Sequence, residues 1–190
     1  MFYGDRSGKI RENAEKSLRL ATFLFPEETW VYKEPNIYVA RSRLVEEYRE
    51  KDKWEREMSQ VRILTGRGSV AYFLPERQTR RGTSRLCADL ALDGIVLEMK
   101  TVTGSRTTLG TEFRFAYKQG AVSLSGHPGI WEHSVFIRLF SDLSLISVMS
   151  KIAGELKDRP DGGSFICYFE TNDELHIWTY EELREIIRKK

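Results

Sequence analysis

The spacing of apolar positions changes several times along the chain, and each change marks an element. Ile10, Ala14, Leu18 and Ala21 recur at roughly helical spacing and predict a helix over 10–25, which Pro26 ends. "TWVYKEPNIYVA" (29–40) sets aromatic and β-branched residues around Pro35 and predicts a short hairpin or an edge strand. Residues 43–65 form the longest helical candidate, with Leu44, Tyr48, Trp54, Met58, Val61 and Leu64 as its stripe and Gly66 and Gly68 as its stop. "SVAYFLPE" (69–76) reads as a strand, and "RQTRRGTSR" (77–85) as a polar, basic loop.

In "CADLALD" (87–93) the period is two: Leu90 and Leu92 share one face, Asp89, Ala91 and Asp93 the other. Asp93-Gly94 predicts a tight turn, and "IVLEMKTV" (95–102) a second strand. A helix is expected through "EFRFAYKQGAVSL", then a strand at 134–140, an amphipathic helix at 144–158, and strands at 164–170 and 175–179 around Asn172-Asp173. Thr179 and Glu182 have the spacing of a capping box at the start of a last helix. This order predicts an α/β (α+β) fold, a central mixed β-sheet flanked by helices.

Composition adds little to that picture: 41% hydrophobic, 31% charged, net charge +2. No run is long enough to span a membrane. The N-terminus lacks the apolar core of a secretory signal, so a cytoplasmic site of action is expected. Cys87 and Cys167 stand far apart with no CxxC, and read as two free buried thiols. Charge placement changes more. Residues 61–120 hold ten basic and five acidic groups, while 1–60 balance and 121–190 are acidic. Arg77, Arg80, Arg81 and Arg85 precede the 87–102 hairpin, and Arg106, Arg114 and Lys118 follow it. Such a field suits a polyanionic partner such as nucleic acid; the plainer reading is a loop kept soluble by arginines.

The hairpin itself poses the chemical question. Val96, Glu98 and Lys100 share one strand face, while Ile95, Leu97 and Met99 share the other. Across a tight turn, Asp89 pairs near Glu98. Two carboxylates there can hold a divalent cation such as Mg2+, which prefers oxygen ligands and suits phosphate substrates. A neighbouring lysine can orient or deprotonate water, or stabilise a charged transition state. The plain alternative is an ordinary acid–lysine pair on a half-exposed sheet.

Asp89, then Glu98-Met99-Lys100, resembles the signature of the PD-(D/E)xK nuclease superfamily, with Ala88 in place of the usual proline. The wider run "VAYFLPE…ADLALDGIVLEMKTVTGS…FAYKQGA" resembles the C-terminal toxin nucleases (CdiA type) of contact-dependent growth inhibition systems, many of which cleave tRNA. The resemblance covers about residues 50–180. It implies a restriction-endonuclease-like core over 44–190, with 1–43 as an N-terminal extension of open role. It also implies a metal site of Asp89, Glu98 and Glu57, with Glu55 as the alternative to Glu57. Lys100 would serve the nucleophile, and Gln119, beside Lys118, the scissile phosphate. Thr101, Thr103, Ser105, Arg106, Lys118, Arg81 and Arg85 would contact substrate. The expected partner is RNA, tRNA above all, with DNA next, and a toxin would have a cognate immunity protein.

Two further readings stay open. Some toxin nucleases with a similar run have a barnase/EndoU/RelE-like fold and cleave RNA without metal; there Lys100, Thr101, Thr103 and Gln119 would matter more than Asp89. A non-catalytic binder of nucleic acid or of a protein would use the same charges structurally. His127 and His133 read as solvated loop residues, with an acid–base pair of the two as the alternative, while His176 lies in the strand expected at 175–179. Phe115, Tyr117, Trp54 and Trp131 read as packing residues, and base stacking by Phe115 or Tyr117 is the alternative.

Overall fold

The strands expected from two-residue alternation form a sheet, and the helices expected from longer spacing cover it. The computed structural model describes residues 6–75, 88–124, 132–159 and 162–188. Among these are six α-helices and eight strands. They are α1 (Arg6–Leu24), β1 (Trp30–Glu34), β2 (Ile37–Ala40), α2 (Glu46–Arg49), α3 (Lys51–Thr65), β3 (Ala71–Phe73), β4 (Leu90–Leu92) and β5 (Ile95–Val102). Then follow α4 (Arg106–Leu124), β6 (His133–Leu139), α5 (Leu145–Leu156), β7 (Ser164–Phe169), β8 (Glu174–Thr179) and α6 (Tyr180–Arg188). The strands stand in the sheet in chain order, with parallel and antiparallel pairs mixed, so the fold is α+β. Packing divides the chain into two compact units, Met1–Val96 and Leu97–Lys190.

In the first unit β1 and β2 form an antiparallel hairpin whose turn needs Asn36 at φ 63°. Asn tolerates that left-handed backbone better than most residues. β2 pairs with β3 in parallel, and β3 with β4 antiparallel. Helix α1 buries Leu20, Ala21 and Leu24, and the Ser17 hydroxyl donates to the Val70 carbonyl at 2.9 Å. Helix α3 buries Trp54, Met58, Val61 and Leu64, with the Trp54 ring 5.6 Å from that of Phe73. The turn after β4 is as expected, with Asp93 at φ 51° and Gly94 at φ 87°. The Asp93 carboxylate also accepts from Val70 N–H at 2.8 Å, which ties the turn to the strand before it.

The 43–65 region departs from the single helix its spacing predicts. It is a 3-10 turn at Arg41–Arg43, the short α2, a break at Glu50 (φ −128°, ψ 50°) and then α3. The cause lies in Arg43, whose side chain is buried. A continuous helix would hold residues 43 and 57 about 21 Å apart along its axis. The broken path instead sets the Arg43 guanidinium 2.8 Å from the Glu57 carboxylate.

In the second unit β6 pairs with β7 in parallel and β7 with β8 antiparallel. Leu109 and Phe113 of α4, Val148 and Ile152 of α5 and Leu183 of α6 pack with Val135, Ile137 and Phe165 as one core. The capping box is present in full. Thr179 N–H donates to the Glu182 carboxylate at 2.7 Å, and Glu182 N–H to the Thr179 hydroxyl at 3.1 Å. Helix α4 begins at Arg106, earlier than the expected "EFRF". Thr107, Thr108 and Gly110 are weak helix formers, but Leu109 is fully buried, and that packing overrides propensity. A Cβ on Gly110 would stand 2.1 Å from the end of the Lys151 side chain, so that flexible chain lies directly against the glycine. No helix among the described residues is long and apolar enough to cross a membrane.

Candidate active site

The first unit gathers its charges around a buried arginine that the sequence does not single out. Nη1 of Arg43 donates to the carbonyls of Leu74 (2.9 Å) and Asp89 (3.3 Å). Its Nη2 donates to Glu57 and its Nε to Glu46, at 2.8 and 3.2 Å. The guanidinium also lies over the Phe73 ring, 5.0 Å from its centroid. A fork of donors taken out of water needs this many acceptors. Asp89 is thus held through its backbone, immediately before β4, by the same arginine that holds Glu57.

Glu57 is a strongly perturbed carboxyl of this cluster. Burial pushes its pKa up from 4.5 to about 7, outweighing the opposing pull of Arg43, and the Asp89 charge pushes it further in the same direction. Near neutral pH this carboxyl can therefore hold or release a proton. Glu55, the alternative acid on the same helix, is exposed and lies 3.6 Å from Arg62.

The second unit carries the other half of the motif on β5. Glu98 has a side-chain exposure of 1%, and Lys100, at 23%, donates to its Oε1 at 2.7 Å. Strand alternation puts both on one face, and Leu97 and Met99 are buried on the other. The pair is thus well withdrawn from water, where a charge requires a partner to be tolerated.

The remaining expected residues scatter. Thr101 is exposed and shares the strand face of Leu97 and Met99, opposite Glu98 and Lys100. Thr103 and Ser105 are exposed in the link to α4, and Arg106 is the first residue of that helix. Lys118 is exposed and Gln119 half-buried on α4. Arg77, Arg80, Arg81, Arg85, Cys87, His127 and Trp131 lie outside the described residues. Cys167 is buried, and burial raises its thiol to about 12.

Two assignments change, those of His133 and Phe115. His133 is no solvated loop residue: it starts β6, is buried, and sits 4.5 Å from the Tyr117 ring. His176 lies in β8, as the strand expected at 175–179 has it, and stacks on Trp178 at 5.4 Å. Phe115 is 58% exposed and not a packing residue, because it falls on the outward face of α4. Tyr117 and Trp54 pack as expected.

The donors expected for a metal are carboxylate oxygens, the hard ligands that Mg2+ takes while keeping several waters. The repulsion that Asp89 exerts on Glu57 is what a divalent cation beside them would relieve. The Arg43 guanidinium already more than offsets that repulsion at Glu57. Among the described residues no three His, Cys, Asp or Glu side chains form a group that could hold a metal ion. Compared with known proteins, the chain matches no family model, no curated protein and no solved structure.

Proposed function

We propose that this chain is a metal-dependent nuclease that hydrolyses phosphodiester bonds, with RNA, tRNA above all, as its substrate and DNA as the next candidate. The observation that carries the reading is the Glu98–Lys100 pair, withdrawn from water on β5 at 2.7 Å, directly after the Asp89–Gly94 segment. Glu57, near neutrality in its pKa and sensing Asp89, supports it.

Asp89 and Glu98 are the residues that would hold the cation. A bound divalent ion supplies neutralisation of phosphoryl charge and a water of lowered pKa. Lys100 orients the attacking oxygen and offsets charge that grows on the phosphate. Glu57 holds a proton near the site, in a carboxyl kept in place by Arg43. Gln119 and Lys118 approach the substrate phosphates from α4. The basic segment before β4 and the cations of α4 attract the polyanion. The proposal extends to a toxin domain acting in the cytoplasm of a target cell, guarded by an immunity protein in the producing one.

The test is cleavage of total tRNA and of plasmid DNA by wild type, Asp89→Ala and Lys100→Ala, each in Mg2+ and in EDTA. Cleavage that needs metal, Asp89 and Lys100 is the expected result. RNA cleavage that survives both EDTA and Asp89→Ala would replace the mechanism with a metal-free one. A folded wild type that cleaves neither polymer with any of several divalent ions would leave a non-catalytic binder.

A further inference from the structure

A second feature of the Leu97–Lys190 unit lies on the outer face of α4. Thr111, Arg114, Phe115, Lys118 and Ala121 fall on one side of the helix and border an open cleft of about 350 Å3, within the size of small-ligand sites. Arg159, just beyond α5, closes it. Its guanidinium lies 4.4 Å over the Tyr117 ring, and its Nε donates to the Glu155 carbonyl at 2.8 Å. Tyr117 is itself buried, so it acts as a floor that fixes the arginine.

Three properties set this cleft apart from an ordinary solvated helix face. Its walls carry three cations, Arg114, Lys118 and Arg159. The acid closest to them in the ion-pair network is Glu155, itself only 12% exposed at its side chain. Glu155 is taken by Lys151 at 2.7 Å and shared with Arg114 at 3.6 Å, so its charge is spent inside the wall. Arg114 is also braced by the Thr111 hydroxyl at 3.2 Å. Finally, Phe115 stands 58% exposed on the outward face of α4, beside Arg114 and Lys118. An exposed aromatic ring flanked by cations is matched by a flat base with a phosphate on either side.

We infer that the α4 cleft binds single-stranded nucleic acid, with a base stacked on Phe115 and the adjoining phosphates on Arg114, Lys118 and Arg159. The inference takes the class of ligand from the nuclease reading but concerns binding alone. Base stacking without edge readout makes the cleft tolerant of sequence, and its small size favours an unpaired strand over a duplex.

The test is fluorescence anisotropy in EDTA with a labelled 2′-O-methyl single strand of about 12 nucleotides, a length covered by single-strand binding sites. Wild type is compared with Phe115→Ala, Phe115→Trp, Lys118→Gln and Arg159→Gln, all checked for an unchanged melting curve. Phe115→Ala should weaken binding by about five- to hundredfold, while Phe115→Trp retains it. Lys118→Gln should reduce the slope of log affinity against log salt by about 0.7, the share of one phosphate contact on a single strand. Wild-type affinity in both Phe115→Ala and Lys118→Gln would overturn the inference. So would equal competition by an acidic peptide, or a duplex bound as tightly as the strand. Phe115-dependent binding by a protein that cleaves nothing keeps the cleft and sinks the nuclease reading. Cleavage with KM unchanged in Phe115→Ala and Arg159→Gln does the reverse.

Discussion

Glu57 and Glu98 are both withdrawn carboxylates facing a cation, yet they reach that state by different routes. Glu98 finds Lys100 two residues along the same strand, because alternation puts them on one face. Glu57 finds Arg43 fourteen residues back, and only because the chain breaks between them. Local pairing comes with the secondary structure, whereas the distant pair has to be enforced by everything that bends the chain. The Arg43 guanidinium is tied to four groups and lies over an aromatic ring, which makes it the more committed of the two cations.

Breaking that commitment should have the largest effect. Arg43→Ala removes the charge that Glu57 and Glu46 face and the donors of two carbonyls, and should cost about 3–5 kcal/mol in urea unfolding. If it costs less than 1 kcal/mol by the same measurement, the buried network is not what closes this unit. The pH dependence comes next. The folded pKa of Glu57 lies above its unfolded value, so the native state holds a proton that the unfolded chain gives up between pH 4.5 and about 7. Stability relative to Glu57→Gln should therefore fall as pH rises through that window, by about 3 kcal/mol in all. A flat difference between the two unfolding profiles would place the Glu57 pKa at its ordinary value.

The local pair should respond less in stability and more in function. Lys100→Ala takes away the ammonium facing Glu98, at a cost of about 1–3 kcal/mol, and Lys100→Arg should recover much of it. Cleavage, measured where both variants remain folded, should drop by about 10²–10⁴ for Lys100→Ala if the lysine assists the reaction. A rate that only tracks stability would make Lys100 a structural partner of Glu98. The smallest effect belongs to a purely local device. Thr179→Ala removes the cap of α6 and should cost about 1 kcal/mol in thermal or chemical unfolding, with no change in binding or cleavage.

The same contrast governs what could be read in advance. The Thr179–Glu182 box, the Asp93-Gly94 turn and the shared face of Glu98 and Lys100 depend on residues a few positions apart, and all were legible. The start of α4 was not, since Thr107, Thr108 and Gly110 argue against a helix until Leu109 is packed and Lys151 lies against the glycine. His133 resembled a loop residue because its neighbours are glycine, proline and charge; its burial comes from Tyr117. Phe115 looked like core because it is apolar, but the helix register turns it outward, next to Lys118 and Arg114. In the candidate site, the motif itself stood out, while Arg43 did not, as an arginine at the head of an apparent helix carries no mark of burial.

Alternation, turn chemistry and capping are short-range effects, so the sequence by itself determined the strands, the tight turns, the mixed α+β class and the carboxylate–lysine face of β5. Tertiary structure decided where the 43–65 helix breaks, how Glu57 comes to titrate near neutrality, and which cations surround Phe115. Those outcomes depend on desolvation and on partners distant in the chain, and neither has a period that a linear pattern can express.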